Sequence, residues 1–199
     1  MAVIGLDNDD VLEDFMSGFA LWHNINYGTL LRYEDFISFD FREVLNVSKK
    51  EVYKRVMEFY KSPEFENLQP LKGSMVYVPA LAKRHELHVI TSRHDDLEER
   101  TLSGLNKYYP NCFTGVHLTN HWFGNVRRTK SEVCKEYGIQ VLVDDHCTFA
   151  AEAADNGVRV IMPDRPWNQD LKNNGVMRVG SEWCHIYLAI ENLAQDLNR

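Results

Sequence analysis

Residues 3–15 read VIGLDNDDVLEDF, and they pass from apolar to acidic in one step. Val3 to Leu6 have the character of a buried strand, after which Asp7, Asp9 and Asp10 follow with no basic residue among them. Like charges at the tip of a hydrophobic strand repel, and taking them out of water is expensive. A bound cation offsets both costs, so this stretch points to a ligand site built on a strand end.

Further along the chain, short apolar runs recur at Leu87–Thr91, Gln140–Asp144 and Val158–Met162, with a weaker one at Phe113–Leu118. They are continuous rather than alternating, as parallel strands covered on both faces require. Helical periodicity fills the gaps. Leu12, Phe15/Met16, Phe19 and Trp22 form one stripe, and Leu97, Thr101, Leu105 and Tyr108 form another, opened by Asp95 with Glu98 as a capping box. Phe149, Ala150, Ala153 and Ala154 lead to a stop at Asn156-Gly157, and Trp183, Ile186/Tyr187, Ile190, Leu193 and Leu197 mark a last amphipathic helix. Strand–helix alternation of this kind predicts an α/β fold with a doubly wound parallel sheet.

One stretch breaks the alternation. Residues 26–72 hold no convincing core strand but an aromatic, acidic segment (Tyr33, Phe36, Phe39, Phe41) and then SKKEVYKRVMEFY. Ser48 and Glu51 form a capping box, Val52, Val56 and Tyr60 share a face, and Ser62-Pro63 ends the helix. The expected organisation is a core of residues 1–25 and 73–199 with a small helical insertion, 26–72, after the first strand.

The chemistry-bearing residues fall at or beyond the carboxyl ends of the predicted strands, the edge where parallel α/β sheets bind ligands. Asp7 and Asp9 sit at the first, Thr91 and Ser92 at the second, Lys130 opens a helix, and Asp144 and Asp145 end the strand after it. Carboxylates from neighbouring strands make an all-oxygen site suited to Mg²⁺. A cation beside a hydroxyl and a lysine is a receptor for phosphate.

Composition narrows the partners. The 199 residues are 44% hydrophobic and 26% charged, ordinary for a globular chain, and the net charge of -7 argues against nucleic-acid polymers and anionic membranes. No apolar run approaches 18 residues, and Met1–Leu6 is too short for a signal peptide, so a cytoplasmic protein is expected. Cys112, Cys134, Cys147 and Cys184 show no metal or disulfide spacing and read as reduced thiols; the eight His show no ligand spacing. Assembly as a homodimer stays open.

In order and spacing, LDNDDV, ITS, Lys130 and LVDD resemble the four motifs of the haloacid dehalogenase-like (HAD) phosphohydrolases. FENLQPLKGS, ELHVITSR, VHLTN and VIMPDRPWN are similar to the 5'(3')-deoxyribonucleotidase branch, in which the insertion is a cap over the active site. The resemblance implies a Mg²⁺-dependent phosphomonoesterase on a small phosphorylated metabolite, expected to be a nucleoside monophosphate, with a sugar phosphate or other small ester as the alternative. It implies Asp7 as nucleophile and Asp9 as acid/base, with Lys130 stabilising charge. Thr91 and the Asn8 amide would bind the phosphoryl oxygens, and Ser92 suits a phosphate contact and a hydroxyl at the approach to a helix equally well. Asp7, the Asp9 carbonyl and a motif-four Asp would hold the metal, with Asp145 preferred as direct ligand and Asp144 behind it. Phe15, Phe39, Phe41 and Arg93 are candidate substrate contacts, although a solvated loop suits Arg93 and His94 equally well, and the aromatics suit a cap core. Arg127 and Arg128 are possible substitutes for Lys130. Asp10 stands where such phosphatases often have Gly, and DRPWN (Asp164–Asn168) has no evident chemical role. A receiver module is disfavoured because its acceptor Asp lies on a middle strand; a catalytically silent module and a dehalogenase are disfavoured by the presence of Asp9.

Overall fold

The computed structural model of the chain describes residues 1–120 and 128–197. Six strands pair in parallel: β1 (Val3–Leu6), β2 (Glu86–Thr91), β3 (Gly115–Leu118), β4 (Val141–Val143), β5 (Arg159–Pro163) and β6 (Val176–Val179). Their order is β3-β2-β1-β4-β5-β6. The chain winds outward in one direction from β1 and in the other from β4, so a crevice opens between the carboxyl ends of these two strands. Leu6 pairs with Val89 on one side and Val143 on the other, which brings Asp7 and Asp144 out of the sheet at one level. The Asp7 amide seals that register by donating to the Val143 carbonyl at 2.9 Å.

Nine α-helices are described, besides three short 3₁₀ turns: α1 (Phe15–Tyr27), α2 (Phe41–Leu45), α3 (Lys49–Phe59), α4 (Pro63–Glu66), α5 (Ser74–Ala82), α6 (Glu98–Tyr108), α7 (Lys130–Glu136), α8 (Cys147–Asp155) and α9 (Trp183–Leu197). Because strand side chains alternate, each apolar run serves two faces. Val141 and Val143 pack with Leu6, Val89, Leu81, Ile186 and Ile190, whereas Leu142 packs oppositely with Ile90, Val133, Ala150 and Val160. This double coverage explains why the strands read as continuous hydrophobic runs.

A third cluster is aromatic. Phe15, Phe19 and Trp22 of α1 meet Phe36, Phe41, Phe59 and Phe65 from the segment that follows. Phe59 touches Phe15, Phe19 and Phe65 edge-on, each with ring centroids 5.4 Å apart. Elements of three to five residues are too short to hold themselves, and packing of this kind holds them.

Local expectations fared unevenly. Gly157 takes the positive φ of +86° that ends α8, as expected, and Asp14, given no part in the sequence reading, caps α1 through the Ser17 amide. Ser48 caps α3, but Glu51 does not reciprocate, because its carboxylate pairs with Arg55. The Asp95–Glu98 box does not form: His94 Nδ1 accepts from the Asp96 amide, the Asp95 amide donates to Asn120, and α6 starts at Glu98 without a side-chain cap. Ser62-Pro63 ends one helix and also opens another, with Pro63 in the first turn of α4. Strand β6 and helix α5 are additions to the sequence reading. The four cysteines are free thiols, and among the described residues no helix is long and apolar enough to cross a membrane.

Candidate active site

Asp7 follows β1, and Asp144 and Asp145 follow β4. Their carboxylates converge, with one oxygen from each within 4.8 Å of the others. Lys130, the first residue of α7, reaches in from behind, its Nζ 2.8 Å from Asp7 Oδ2 and 2.7 Å from Asp144 Oδ2. The capping box of Thr129 and Glu132 fixes the start of this helix and thereby the lysine.

Three buried carboxylates against one ammonium leave negative charge uncompensated. Burial lifts the Asp7 carboxyl well above the usual range, and Asp144, Asp145 and Asp9 add to the rise against the pull of Lys130. Burial, then Asp144, push Asp145 up to about 7. Burial alone would lower Lys130, but Asp144 and Asp7 hold it above its ordinary value, so it stays cationic. A hard divalent cation is the partner that such an oxygen set fits.

The two motif-four carboxylates differ. Asp144 is committed to protein donors on both oxygens, Lys130 on Oδ2 and the His146 amide on Oδ1 at 2.9 Å. Asp145 accepts from Trp167 Nε1 on Oδ2 at 2.7 Å, and no donor among the described residues bonds to its Oδ1.

Thr91 is fully buried at the end of β2, its Oγ1 accepting from the Arg93 amide at 3.2 Å. Ser92 Oγ is buried with no hydrogen-bond partner in the described structure, which a bound oxyanion would repair. The Asn8 amide donates to Asp7 Oδ1 at 2.7 Å. Asp9 faces Arg93, which grips its carboxylate with Nε on Oδ2 (3.1 Å) and Nη2 on Oδ1 (2.6 Å). Arg93 is only 2% exposed, so the solvated-loop reading is corrected. Arg128 pairs with Glu136 on α7, away from the carboxylates; Arg127 lies outside the described residues.

A cavity of about 640 Å³ opens above this edge. Asp7, Asp9, Ser92, Arg93 and Asp145 line its floor, while Phe15, Phe39, Phe41, Tyr53 and Tyr60 line its walls. Phe39 lies against His146, with ring centroids 4.0 Å apart. Phe15, Phe39, Phe41 and Tyr60 belong to or pack on the aromatic cluster, so they build the wall and its support at once.

DRPWN acquires a role. Arg165 donates to the Asp10 carbonyl through Nε and Nη2 (3.1 and 2.8 Å) and holds the turn after Asp9. Trp167 holds the Asp145 side chain and Asn168 Nδ2 its carbonyl at 2.9 Å. Asp10 adopts φ +57°, the left-handed conformation that makes Gly usual there, and its Oδ1 accepts from the Met16 amide. Glu13 and Arg100, absent from the sequence reading, form a buried ion pair beneath Asp9.

The model of the family described as 5' nucleotidase, deoxy (pyrimidine), cytosolic type C protein matches residues 1–194. The chain belongs to this nucleotidase family. It is therefore a phosphomonoesterase of the HAD superfamily. A 5'(3')-deoxyribonucleotidase of Bacillus subtilis is 28% identical over 142 residues, 70% of this chain and 78% of that protein. Among solved structures, a haloacid dehalogenase-like hydrolase of Streptococcus pneumoniae superposes with TM-score 0.67 at 12% identity, covering 94% of this chain and 98% of its own. A HAD hydrolase of Bacillus subtilis, solved bound to magnesium, superposes with TM-score 0.60 at 13% identity, covering 96% and 98%. These similarities establish the Rossmann-like HAD fold.

Proposed function

We propose that this nucleotidase-family member hydrolyses nucleoside monophosphates with Mg²⁺ through an aspartyl-phosphate on Asp7. The observation that carries the reading is the convergence of Asp7, Asp144 and Asp145, with Lys130 bonded to Asp7 and Asp144, where Asp7 and Asp145 meet an aromatic-walled cavity. Asp7, the Asp9 carbonyl and Asp145 would hold the metal. Asp144, saturated by Lys130 and the His146 amide, positions the lysine instead. When bound, the cation supplies neutralisation of phosphoryl charge.

Asp7 attacks phosphorus as the P–O ester bond breaks, and the proton of Asp9 passes to the departing oxygen. Asp9 then takes a proton from the water that cleaves the aspartyl-phosphate and releases phosphate. Lys130 counters charge on Asp7 and the transferring group. Thr91, Ser92 and the Asn8 amide receive phosphoryl oxygens, Ser92 Oγ gaining the partner it lacks. Segment 26–72 acts as a cap whose Phe39 and Phe41, with Phe15, face the base. The B. subtilis 5'(3')-deoxyribonucleotidase supports a deoxynucleotide substrate. A cytoplasmic setting, without nucleic-acid polymer or membrane partners, suits that substrate.

A phosphate-release screen over deoxynucleotides, ribonucleotides, sugar phosphates and an aryl phosphate, with Mg²⁺ and with chelator, tests this. The expected result is turnover of nucleoside monophosphates that chelator abolishes. Full activity in chelator contradicts the metal assignment, and preference for sugar phosphates contradicts the nucleotide assignment.

A further inference from the structure

We propose that Arg93 is a positioning residue that aims the Asp9 carboxylate at the leaving oxygen, with Glu13 as its anchor. The inference rests on Asp9 acting as acid/base, as assigned above.

Arg93 meets Asp9 as a fork. Nε and Nη2 take one oxygen each, fixing both the place and the plane of the carboxylate. The fork occupies one edge of the carboxyl group and leaves its other sites, where a proton is carried or taken up, to the cavity that Asp9 lines. The arginine is itself immobilised. Nη2 also donates to Glu13 Oε2 at 2.8 Å, Nη1 donates to Thr101 Oγ1 at 3.1 Å, and Cζ lies 4.9 Å over the Phe65 ring.

Glu13 is buried and serves three donors: Arg93, Arg100 Nη1 on Oε1 at 3.0 Å, and Asn8 Nδ2 at 3.0 Å. Burial alone would raise its carboxyl, but Arg93, Arg100 and Asn8 hold it below the usual range. Arg93 and Arg100 share Glu13, and Arg93 links this cluster to Asp9. Arg100 Cζ lies 4.7 Å over the other contact of this cluster, the Phe65 ring, and its Nε donates to the Phe65 carbonyl at 2.9 Å. Phe65 belongs to α4, so the segment that covers the cavity and the carboxylate that protonates the leaving group share one anchor.

The experiment compares single-turnover release of the leaving group, which isolates the first step from the shared hydrolysis of the aspartyl-phosphate, for a deoxynucleoside monophosphate, whose alkoxide leaves poorly, and for p-nitrophenyl phosphate, whose phenolate needs little protonation. Asp9→Asn should slow the nucleotide by about 10²–10⁴-fold and the aryl ester far less. Arg93→Met should slow the nucleotide by about 10–100-fold and the aryl ester only a few-fold, and Asp9→Asn/Arg93→Met should be no slower than Asp9→Asn. Arg93→Lys keeps the charge without the fork and should show the same selective loss, which also covers the case in which Arg93→Met fails to fold. Equal losses on both esters, or additive losses in the double variant, overturn the positioning role. If Asp9→Asn itself slows both esters equally, the acid assignment fails first and takes this proposal with it.

Discussion

The sheet edge and the aromatic layer beside it are built by opposite means. At the sheet edge, backbone ladders fix β1 against β2 and β4 in defined register, and that register delivers Asp7 and Asp144 to one place. In the layer, residues 33–66 carry helix α3 of eleven residues flanked by helices of only five and four, and rings rather than ladders locate them. The first device gives precision to a reaction that tolerates little displacement. The second gives a wall that can be remodelled one side chain at a time. The proposed function accordingly assigns chemistry to the sheet edge and choice of substrate to the aromatic layer.

The sharpest way to break that division is Asp7→Asn. Activity should fall on the order of 10⁴-fold or more on every phosphate ester, while melting in chelator stays equal or rises, because one repelling carboxylate is gone. A loss confined to nucleotides would place chemistry and recognition in the same residues. Phe59→Ala attacks the other region. Phe59 is fully buried at the centre of the ring cluster, so urea denaturation should show a loss of about 3–5 kcal/mol. KM for nucleotides should rise well before kcat on a small aryl phosphate changes.

How far the sequence carried these conclusions depended on the range of the interactions. VLVDD was legible because a parallel strand buried on both faces writes itself as an unbroken apolar run before its acids. VMRV was not, because β6 is an edge strand whose Met177 is 42% exposed and whose Arg178 pairs with Asp164. The four acidic, hydroxyl and lysine positions were legible through strand-end placement and family likeness together. The Arg93–Glu13–Arg100 cluster was not, since residues 80 and 87 positions apart leave no local pattern when they pair. DRPWN stood out as a resemblance, yet its purpose, bracing Asp10 and Asp145, needs three dimensions.

Two smaller effects sharpen the comparison. In the aromatic layer His23 is buried among rings, its Nδ1 on Thr29 Oγ1 and its Nε2 2.9 Å from Arg55 Nη1. Burial, with help from Arg55, lowers it to about 4 from an ordinary 6.5. The unfolded chain then binds more protons than the folded one between these values, so stability is full above about 6.5 and falls as pH drops toward 4. Melting of His23→Gln should lack that acid-side component; an unchanged profile would contradict it. Smallest of all, Phe39→Leu should raise KM for nucleotides by about 2–10-fold, the worth of one aromatic contact, with kcat nearly constant. An equal change in kcat would give the layer a part in the chemistry.

The central claim is that the acidic tips of β1 and β4 together hold a divalent cation, and direct calorimetric titration with Mg²⁺ tests it. Wild-type protein should bind one equivalent, Asp145→Asn should lose that binding, and a folded Asp144→Asn should retain measurable affinity. Undiminished binding to Asp145→Asn, or none to the wild type, would contradict the account.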